Sequence, residues 1–304
     1  MRKKPTVTIG IPAYNEEANI KNLLKSLLAQ KQLNLKIQKI IVISDCSSDK
    51  TEEEVKSLKN GTIILLVNNK RLGKALTQNI ILKNFSSDYL VLLDADVLPK
   101  NSLVIERIIE PFSRNTKIGL VGGKIIPLRP RNLLEKTLFF SREVKLSLFE
   151  NMNDGNNIYL CHGAFRVFSK DFAKKIKWPA ISGEDAYSYL RCLSDGYLFQ
   201  YEPKAAVYFK FPHRLRGHFS QSVRFLGSRR RLKEIFNENL VDKSFSIPFR
   251  LLVTKAFPLV VKNPLQSILY LFIYFYANLM NLFVDKSTAK WEMSLSSKKL
   301  AATQ

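Results

Sequence analysis

Between Val7 and Phe112, short apolar runs alternate with longer segments whose apolar positions recur every three to four residues. The runs from Val7 to Ile11, Lys39 to Ile43, Thr62 to Val67 and Tyr89 to Leu93 have the length and continuity of buried strands. Between them, Glu16 to Gln30 carries Ile20, Leu23, Leu24, Leu27 and Leu28 at helical spacing. Thr51 to Leu58 reads as a short polar helix that Thr51 or Asp49 can cap. Helices are also expected over Lys74 to Phe85 and Ser102 to Phe112. Strands that alternate with helices in this way predict an α/β fold with a mostly parallel central sheet covered on both faces.

The pattern then changes twice. Leu133 to Phe149 is an amphipathic helix, Asn151 to Asn157 a polar turn, and Glu184 to Leu193 a helix that opens on two acids. Arg214 to Lys233 is basic and interrupted by aromatics. Ile247 to Val261 is apolar around Pro248 and Pro258, and Leu265 to Val284 is nearly all apolar. A bilayer crossing takes about 20 apolar residues, so the second stretch is long enough to span; alternatively both stretches lie at an interface, or pack as a helical pair on the catalytic domain. The expected organisation is a catalytic domain over 1–235, a hydrophobic membrane-associated helical region over 236–286, and a polar tail over 287–304.

In parallel sheets ligands gather at the carboxyl ends of the strands, and the polar clusters fall there. Pro12-Ala13-Tyr14-Asn15-Glu16 follows the first strand, Ser44 to Asp49 the second, and Asp94-Ala95-Asp96 the fourth. Asp94 and Asp96 can offer hard oxygen ligands to Mg²⁺ or Mn²⁺, which commonly share such carboxylates with substrate phosphates; a polar turn would use the same residues. Asp45 can accept from a base or ribose, or cap a helix. Lys74, after Lys70 to Gly73, can meet a phosphate as a point charge, although no Walker A spacing is present. Glu184 and Asp185 suit a helix N-terminus electrostatically, and a carboxylate there can equally act as a general base. Gln221 and Arg224 share one helical face beside Phe225; Arg can clamp a diphosphate, and a basic amphipathic helix has the same pattern.

Composition narrows the field. The 304 residues are 46% hydrophobic and 24% charged, which excludes a disordered or fibrous chain. A formal net charge of +22 favours polyanions: nucleic acid, anionic lipid headgroups or phosphorylated substrates. Cys46, Cys161 and Cys192 form no metal-binding or disulfide pattern and fit a reducing compartment. No apolar leader precedes Val7, so the start of the chain is expected in the cytoplasm.

As an ordered set these clusters resemble glycosyltransferase family 2. The residues that carry the resemblance are Ile11 to Glu16, Ser44 to Asp49, Gly73-Lys74-Ala75, Asp94-Ala95-Asp96, Gly163-Ala164-Phe165-Arg166, Glu184-Asp185 and Gln221 to Phe225. Together they cover roughly residues 5–235. The last resembles the Gln-x-x-Arg-Trp motif of the membrane-bound branch, with Phe225 in place of Trp. The resemblance implies a GT-A-type nucleotide-sugar-binding domain. It implies that Pro12, Tyr14, Glu16, Asp45, Lys74 and Asp94 lie on the donor side, with Asp94 and Asp96 at a Mg²⁺ or Mn²⁺ ion. Asp185 would be the base of an inverting transfer, and Glu184, Gln221, Arg224 and Phe225 would serve the diphosphate or acceptor. The implied donor is a UDP-sugar, or alternatively a GDP-sugar. The implied acceptor is lipid-linked, glycolipid or envelope polysaccharide, met at the cytoplasmic face of a membrane through a peripheral region or one to two membrane helices. No nucleic acid is expected as partner. Two rival readings remain: a nucleotidyltransferase, which would release pyrophosphate, and a non-enzymatic basic protein that binds nucleic acid or membrane.

Overall fold

The structure is a computed structural model, and it describes residues 4–211 and 229–283. In chain order its body comprises β1 (Thr6–Ala13), α1 (Ile20–Leu28), β2 (Lys36–Ser44), α2 (Thr51–Lys56), β3 (Ile63–Val67), α3 (Lys74–Lys83), β4 (Tyr89–Leu93), β5 (Leu98–Pro99) and α4 (Val104–Arg114). There follow β6 (Ile118–Pro127), α5 (Leu133–Phe149), β7 (Phe165–Ser169), α6 (Lys170–Lys175), α7 (Glu184–Ser194) and β8 (Leu198–Phe209). Helix α8 is Glu238–Phe245. Helix α9 runs through Phe249–Leu251, Leu252–Ala256 and Phe257–Lys262, and α10 is Pro264–Phe283.

One eight-stranded sheet has the order β3-β2-β1-β4-β7-β6-β8-β5. Its first half is parallel, as the alternation of strand and helix predicts: β1 pairs with β2 and β4, and β2 with β3. The second half is mixed. β7 runs antiparallel to both β4 and β6, β6 and β8 are parallel, and β5 is antiparallel to β8. Periodicity did not announce β6 or β8. β6 contains Gly119, Gly122 and Gly123, which dilute its apolar signal. Close packing explains one of them: a Cβ on Gly123 would lie 2.2 Å from the Phe165 ring, so a side chain there would push β6 away from β7.

The core occupies both faces of the sheet. On one, Val7, Ile9 and Ile11 of β1 pack with Leu23, Leu24 and Leu27 of α1 and with Ile105 and Ile108 of α4. Each such side chain contributes about 1.5–3 kcal/mol by leaving water. The opposite face gathers Ile41, Ile43, Leu92, Phe168, Phe172, Trp178 and Leu190, and it includes Val241 and Phe245 of α8.

The end of the chain behaves differently. α9 is π-wound over Leu252–Ala256, one residue short of Pro258. Proline lacks the N–H that an α-helical bond to residue 254 would need, and its ring crowds that carbonyl. Both α9 and α10 lean on α5: the Lys145 ammonium lies 5.2 Å from the Tyr270 ring centroid, and the Ser147 hydroxyl donates to the Lys255 carbonyl at 3.4 Å. Their other faces expose large apolar side chains, among them Phe249, Phe257, Phe272 and Phe275. Glu238–Lys262 has the length and apolar composition of a membrane crossing, with mean hydropathy 1.4. Residues 246–248 interrupt its helical backbone.

Candidate active site

The loops after β1, β2 and β4 and the start of α7 meet along one edge of the sheet. The turn after β1 is shaped by the second strand's loop. Asn15 adopts a positive φ of 52°, a conformation asparagine tolerates. Its carboxamide oxygen accepts from the Ser48 amide at 2.7 Å, and the Glu16 amide donates to the Thr51 hydroxyl at 2.6 Å. Thr51 thus serves the neighbouring loop, while Asp49 accepts from the Thr51 amide at 3.0 Å. Glu16 is buried and accepts from the Asn19 side chain at 3.0 Å.

Asp45 is buried at the end of β2 and receives three protein donors. The Asn68 side chain and the Leu72 amide donate to one oxygen, each at 2.9 Å, and the Gly73 amide donates to the other at 2.8 Å. This carboxylate therefore shapes the loop that carries Arg71 and Lys74. The Arg71 guanidinium lies 3.9 Å from the Tyr14 ring centroid, and its Nη2 is buried without a hydrogen-bond partner.

Lys74 opens α3 and occupies the centre of the cluster. Its ammonium is 2.5 Å from Asp94 Oδ1 and 2.9 Å from Glu184 Oε1, and it donates to the Gly163 carbonyl at 3.2 Å. Burial opposes this charge, but Asp94 and Glu184 outweigh it and hold the ammonium above the usual lysine range. Burial also pushes Asp94 up to about 6; Lys74 opposes the shift and the nearby Asp96 adds to it. Gly163 is enclosed by these groups. A Cβ there would lie 3.0 Å from both Lys74 Nζ and Glu184 Oε1 and 3.6 Å from Asp185 Oδ2.

Asp185 is held at the first turn of α7. Its Oδ1 accepts from the Ala186 amide at 2.8 Å and its Oδ2 from the Gly163 amide at 3.3 Å. Burial, reinforced by Glu184, raises its carboxyl above the ordinary aspartate range. Arg166 of β7, fully buried, steadies this turn by donating to the Glu184 carbonyl at 3.1 Å and the Ser188 hydroxyl at 2.8 Å. Trp178 Nε1 donates to the same two groups at 3.1 and 2.9 Å.

The structure thus brings Lys74, Asp94, Asp96, Glu184 and Asp185 into one electrostatic cluster, and sets Tyr14, Glu16 and Asp45 on the adjoining loops. Gln221, Arg224 and Phe225 lie outside the described residues. Sequence reasoning left Arg71, Arg166 and Trp178 without roles. Arg166 had a usable signal, an arginine inside an otherwise apolar strand; Trp178 had none.

Among the described residues no group of three or more His, Cys, Asp and Glu side chains is arranged to hold a metal ion by itself. The charge count nonetheless suits a divalent cation. Four carboxylates (Asp94, Asp96, Glu184 and Asp185) face two cations, Lys74 and Arg166. Asp94 and Asp96 are hard oxygen donors of the kind that Mg²⁺ and Mn²⁺ share with phosphates.

Comparison with known proteins fits this geometry. The family described as Glycosyl transferase family 2 matches residues 8–177. A poly-beta-1,6-N-acetyl-D-glucosamine synthase of Staphylococcus aureus (strain COL) is 26% identical over 287 residues, covering 90% of this chain. The chain spans 66% of that synthase, just under two thirds of its length. Among solved structures, the mannosyltransferase PcManGT of Pyrobaculum calidifontis, in complex with GDP-Man and Mn²⁺, has a TM-score of 0.58 at 18% identity. That match covers 95% of this chain and 78% of the other. Staphylococcus aureus TarS 1-349 in complex with UDP-GlcNAc has a TM-score of 0.56 at 17% identity, covering 90% and 81%.

Proposed function

We propose, for a chain that belongs to glycosyltransferase family 2, that it moves a sugar from a nucleoside-diphosphate sugar to an acceptor hydroxyl with inversion at the anomeric carbon. The observation that carries this reading is the Lys74 bridge. One ammonium ties Asp94, at the end of β4, to Glu184, next to Asp185 at the start of α7. Residues suited to the leaving diphosphate and a carboxylate suited to the acceptor are thereby tied together by one buried contact, and such positioning lowers the barrier to transfer.

In this reading Pro12, Tyr14, Glu16 and Asp45 line the nucleotide end. Asp45 spends three acceptor sites on the protein, and a carboxylate has about four, which leaves one for the base or ribose. Asp96, with Asp94, would hold Mg²⁺ or Mn²⁺, which when bound offsets the negative charge of the diphosphate. Arg71 adds a cation on the same side, and the family resemblance gives Arg224 a similar task. Asp185 takes the proton from the acceptor hydroxyl. The oxygen then forms a bond to the anomeric carbon from the face opposite the diphosphate, while the bond from that carbon to the diphosphate oxygen breaks. Raising the Asp185 carboxyl above its ordinary range brings its basicity closer to what this proton transfer needs.

The acceptor in this reading is lipid-linked, glycolipid or envelope polysaccharide. The exposed apolar faces of α9 and α10 support attachment to a membrane, whose cytoplasmic face is the one this reading assigns. UDP-N-acetylglucosamine is the first donor to test, because a relative bears the name of a poly-N-acetylglucosamine synthase. The decisive experiment is a panel of UDP- and GDP-sugars scored for binding and hydrolysis with and without Mg²⁺ or Mn²⁺. Metal-dependent binding of one of them is expected; binding of none would sink the reading.

A further inference from the structure

The ends of β6 and β8, the loop that follows β6 and one side of α5 from Glu135 to Leu146 line a cavity of 680 Å³. Its charge is unbalanced. Lys124, Arg129, Arg131, Arg142 and Lys210 line it, against Glu135 and Glu143. Part of this is settled within the protein: Lys124 pairs with Glu150 at 2.9 Å, and Glu135 accepts from the Arg131 amide at 2.7 Å. Arg142 is different. Its Nη2 donates to the Ile125 carbonyl at 2.7 Å, its Nε is buried without a hydrogen-bond partner, and its guanidinium lies 5.4 Å from the Phe209 ring centroid. Burial outweighs the nearby Tyr201 and Glu150 and lowers it to about 10. The half-buried guanidinium lines the cavity wall, and a charge so placed is stabilised by an anion that matches its planar fork, as phosphate does.

The rest of the wall is apolar, with Leu128, Phe139 and Leu146 among its residues. A small inorganic anion would leave those side chains facing water, whereas an amphiphile covers both kinds of surface. The volume falls within the range of about 300–1,000 Å³ usual for small-molecule sites. Location adds a direction. One side of α5 lines the cavity, and another packs on α9 and α10, whose exposed apolar faces continue away from the body. The charge of Arg142 is also felt next to the catalytic cluster. His162 feels both Arg142 and Arg166 and, being buried, is held neutral, down to about 3; its neighbour Gly163 donates to Asp185.

We propose that this cavity binds a phosphorylated lipid, with its phosphate on Arg142 and its chain leaving toward α9 and α10. That such a lipid serves as the acceptor rests on the glycosyl-transfer reading above; that it binds does not.

The test uses the whole chain and a monomeric alkyl phosphate, dodecyl phosphate, with inorganic phosphate and the uncharged dodecyl maltoside as separate arms. Saturable binding of one dodecyl phosphate per chain is expected, at least tenfold tighter than either control ligand. Arg142→Met should weaken it at least tenfold. Should that variant fail to fold, as judged by circular dichroism, the exposed pair Arg129→Ala/Arg131→Ala serves in its place, with a loss of several-fold expected. Lys36→Ala/Lys117→Ala, two exposed positions remote from the cavity, should leave the affinity unchanged. Equal binding of inorganic phosphate, equal binding of the maltoside, or equal losses in the remote variant would each overturn the proposal. Nucleotide-sugar binding by the unaltered chain separates the two readings. Dodecyl phosphate binding without it sinks only the glycosyl-transfer reading, and nucleotide-sugar binding without dodecyl phosphate binding sinks only this one.

Discussion

In β1 the side chains of Val7, Ile9 and Ile11 are wholly buried, whereas Phe272 and Phe275 of α10 are 72% and 76% exposed. Both segments are strongly apolar, yet one spends its apolar surface on the chain itself and the other does not. The first is enclosed by α1 and α4, which bring apolar faces of their own. α10 packs on α5 and touches the end of α9, and much of its remaining circumference is exposed among the described residues. At about 25 cal/mol per Å², large aromatic side chains left in water are a standing incentive to find another apolar surface. The comparison teaches that hydrophobicity predicts the need for burial, while only the arrangement of elements says whether the chain itself supplies it.

If the body carries the chemistry and α9 and α10 carry attachment, damage to the two should separate. The largest effect is expected from Asp185→Asn: transfer should fall by about 10²–10⁴-fold, the usual worth of a general base, with donor binding retained. Turnover measured against pH sharpens this. The base must be ionised, and its carboxyl is raised by burial and by Glu184. Activity of the unaltered chain should therefore fall with acidification at a pH above the ordinary aspartate value of about 3.9. Full turnover by Asp185→Asn on a defined acceptor would remove the residue from its assigned role.

Next in size is Asp96→Ala, expected to reduce turnover by about 10²–10³-fold, as for loss of one electrostatic stabiliser. Titration calorimetry should show metal-dependent donor binding weakened with it. Lys74→Met should follow. It leaves the buried Glu184 and the partly buried Asp94 without their shared cation, at a cost of about 3 kcal/mol, to be read from urea unfolding; a loss below about 1 kcal/mol would mean that the bridge does not hold the loops. Gly163→Ala places a methyl group 3.0 Å from Lys74 Nζ and Glu184 Oε1, and a loss of about tenfold in turnover, near 1.4 kcal/mol, is expected. The smallest effect on the body is expected from Phe272→Ser/Phe275→Ser. Stability should change by no more than about 0.5 kcal/mol, as at other surface sites, while sedimentation with lipid vesicles weakens. A cooperative loss of stability instead would show that these rings pack on the body and would break the comparison.

Much of the body was legible before the structure because its signals are local. β1 to β4 and their helices declare themselves through runs and three-to-four spacing, and the carboxylates fall at strand ends for the same reason. β6 was not legible: one of its glycines, Gly123, is explained by the Phe165 ring across the ladder, which no local window contains. The Lys74 bridge was not legible either. The sequence offered Lys74 to a phosphate, whereas in the structure its ammonium contacts two carboxylates from β4 and α7.

By itself, then, the sequence determined which residue types stand at the strand ends and that the chain belongs to glycosyltransferase family 2, because order along the chain and spacing are properties of one dimension. Tertiary structure alone decided that Gly163, Glu184 and Asp185 close around the Lys74 ammonium, and that Arg142 lines a cavity. The first depends on how the antiparallel strand β7 is inserted between β4 and β6, and the second on the pairing of β6 with β8; the cost of such long-range pairings in chain entropy is met by many buried contacts at once.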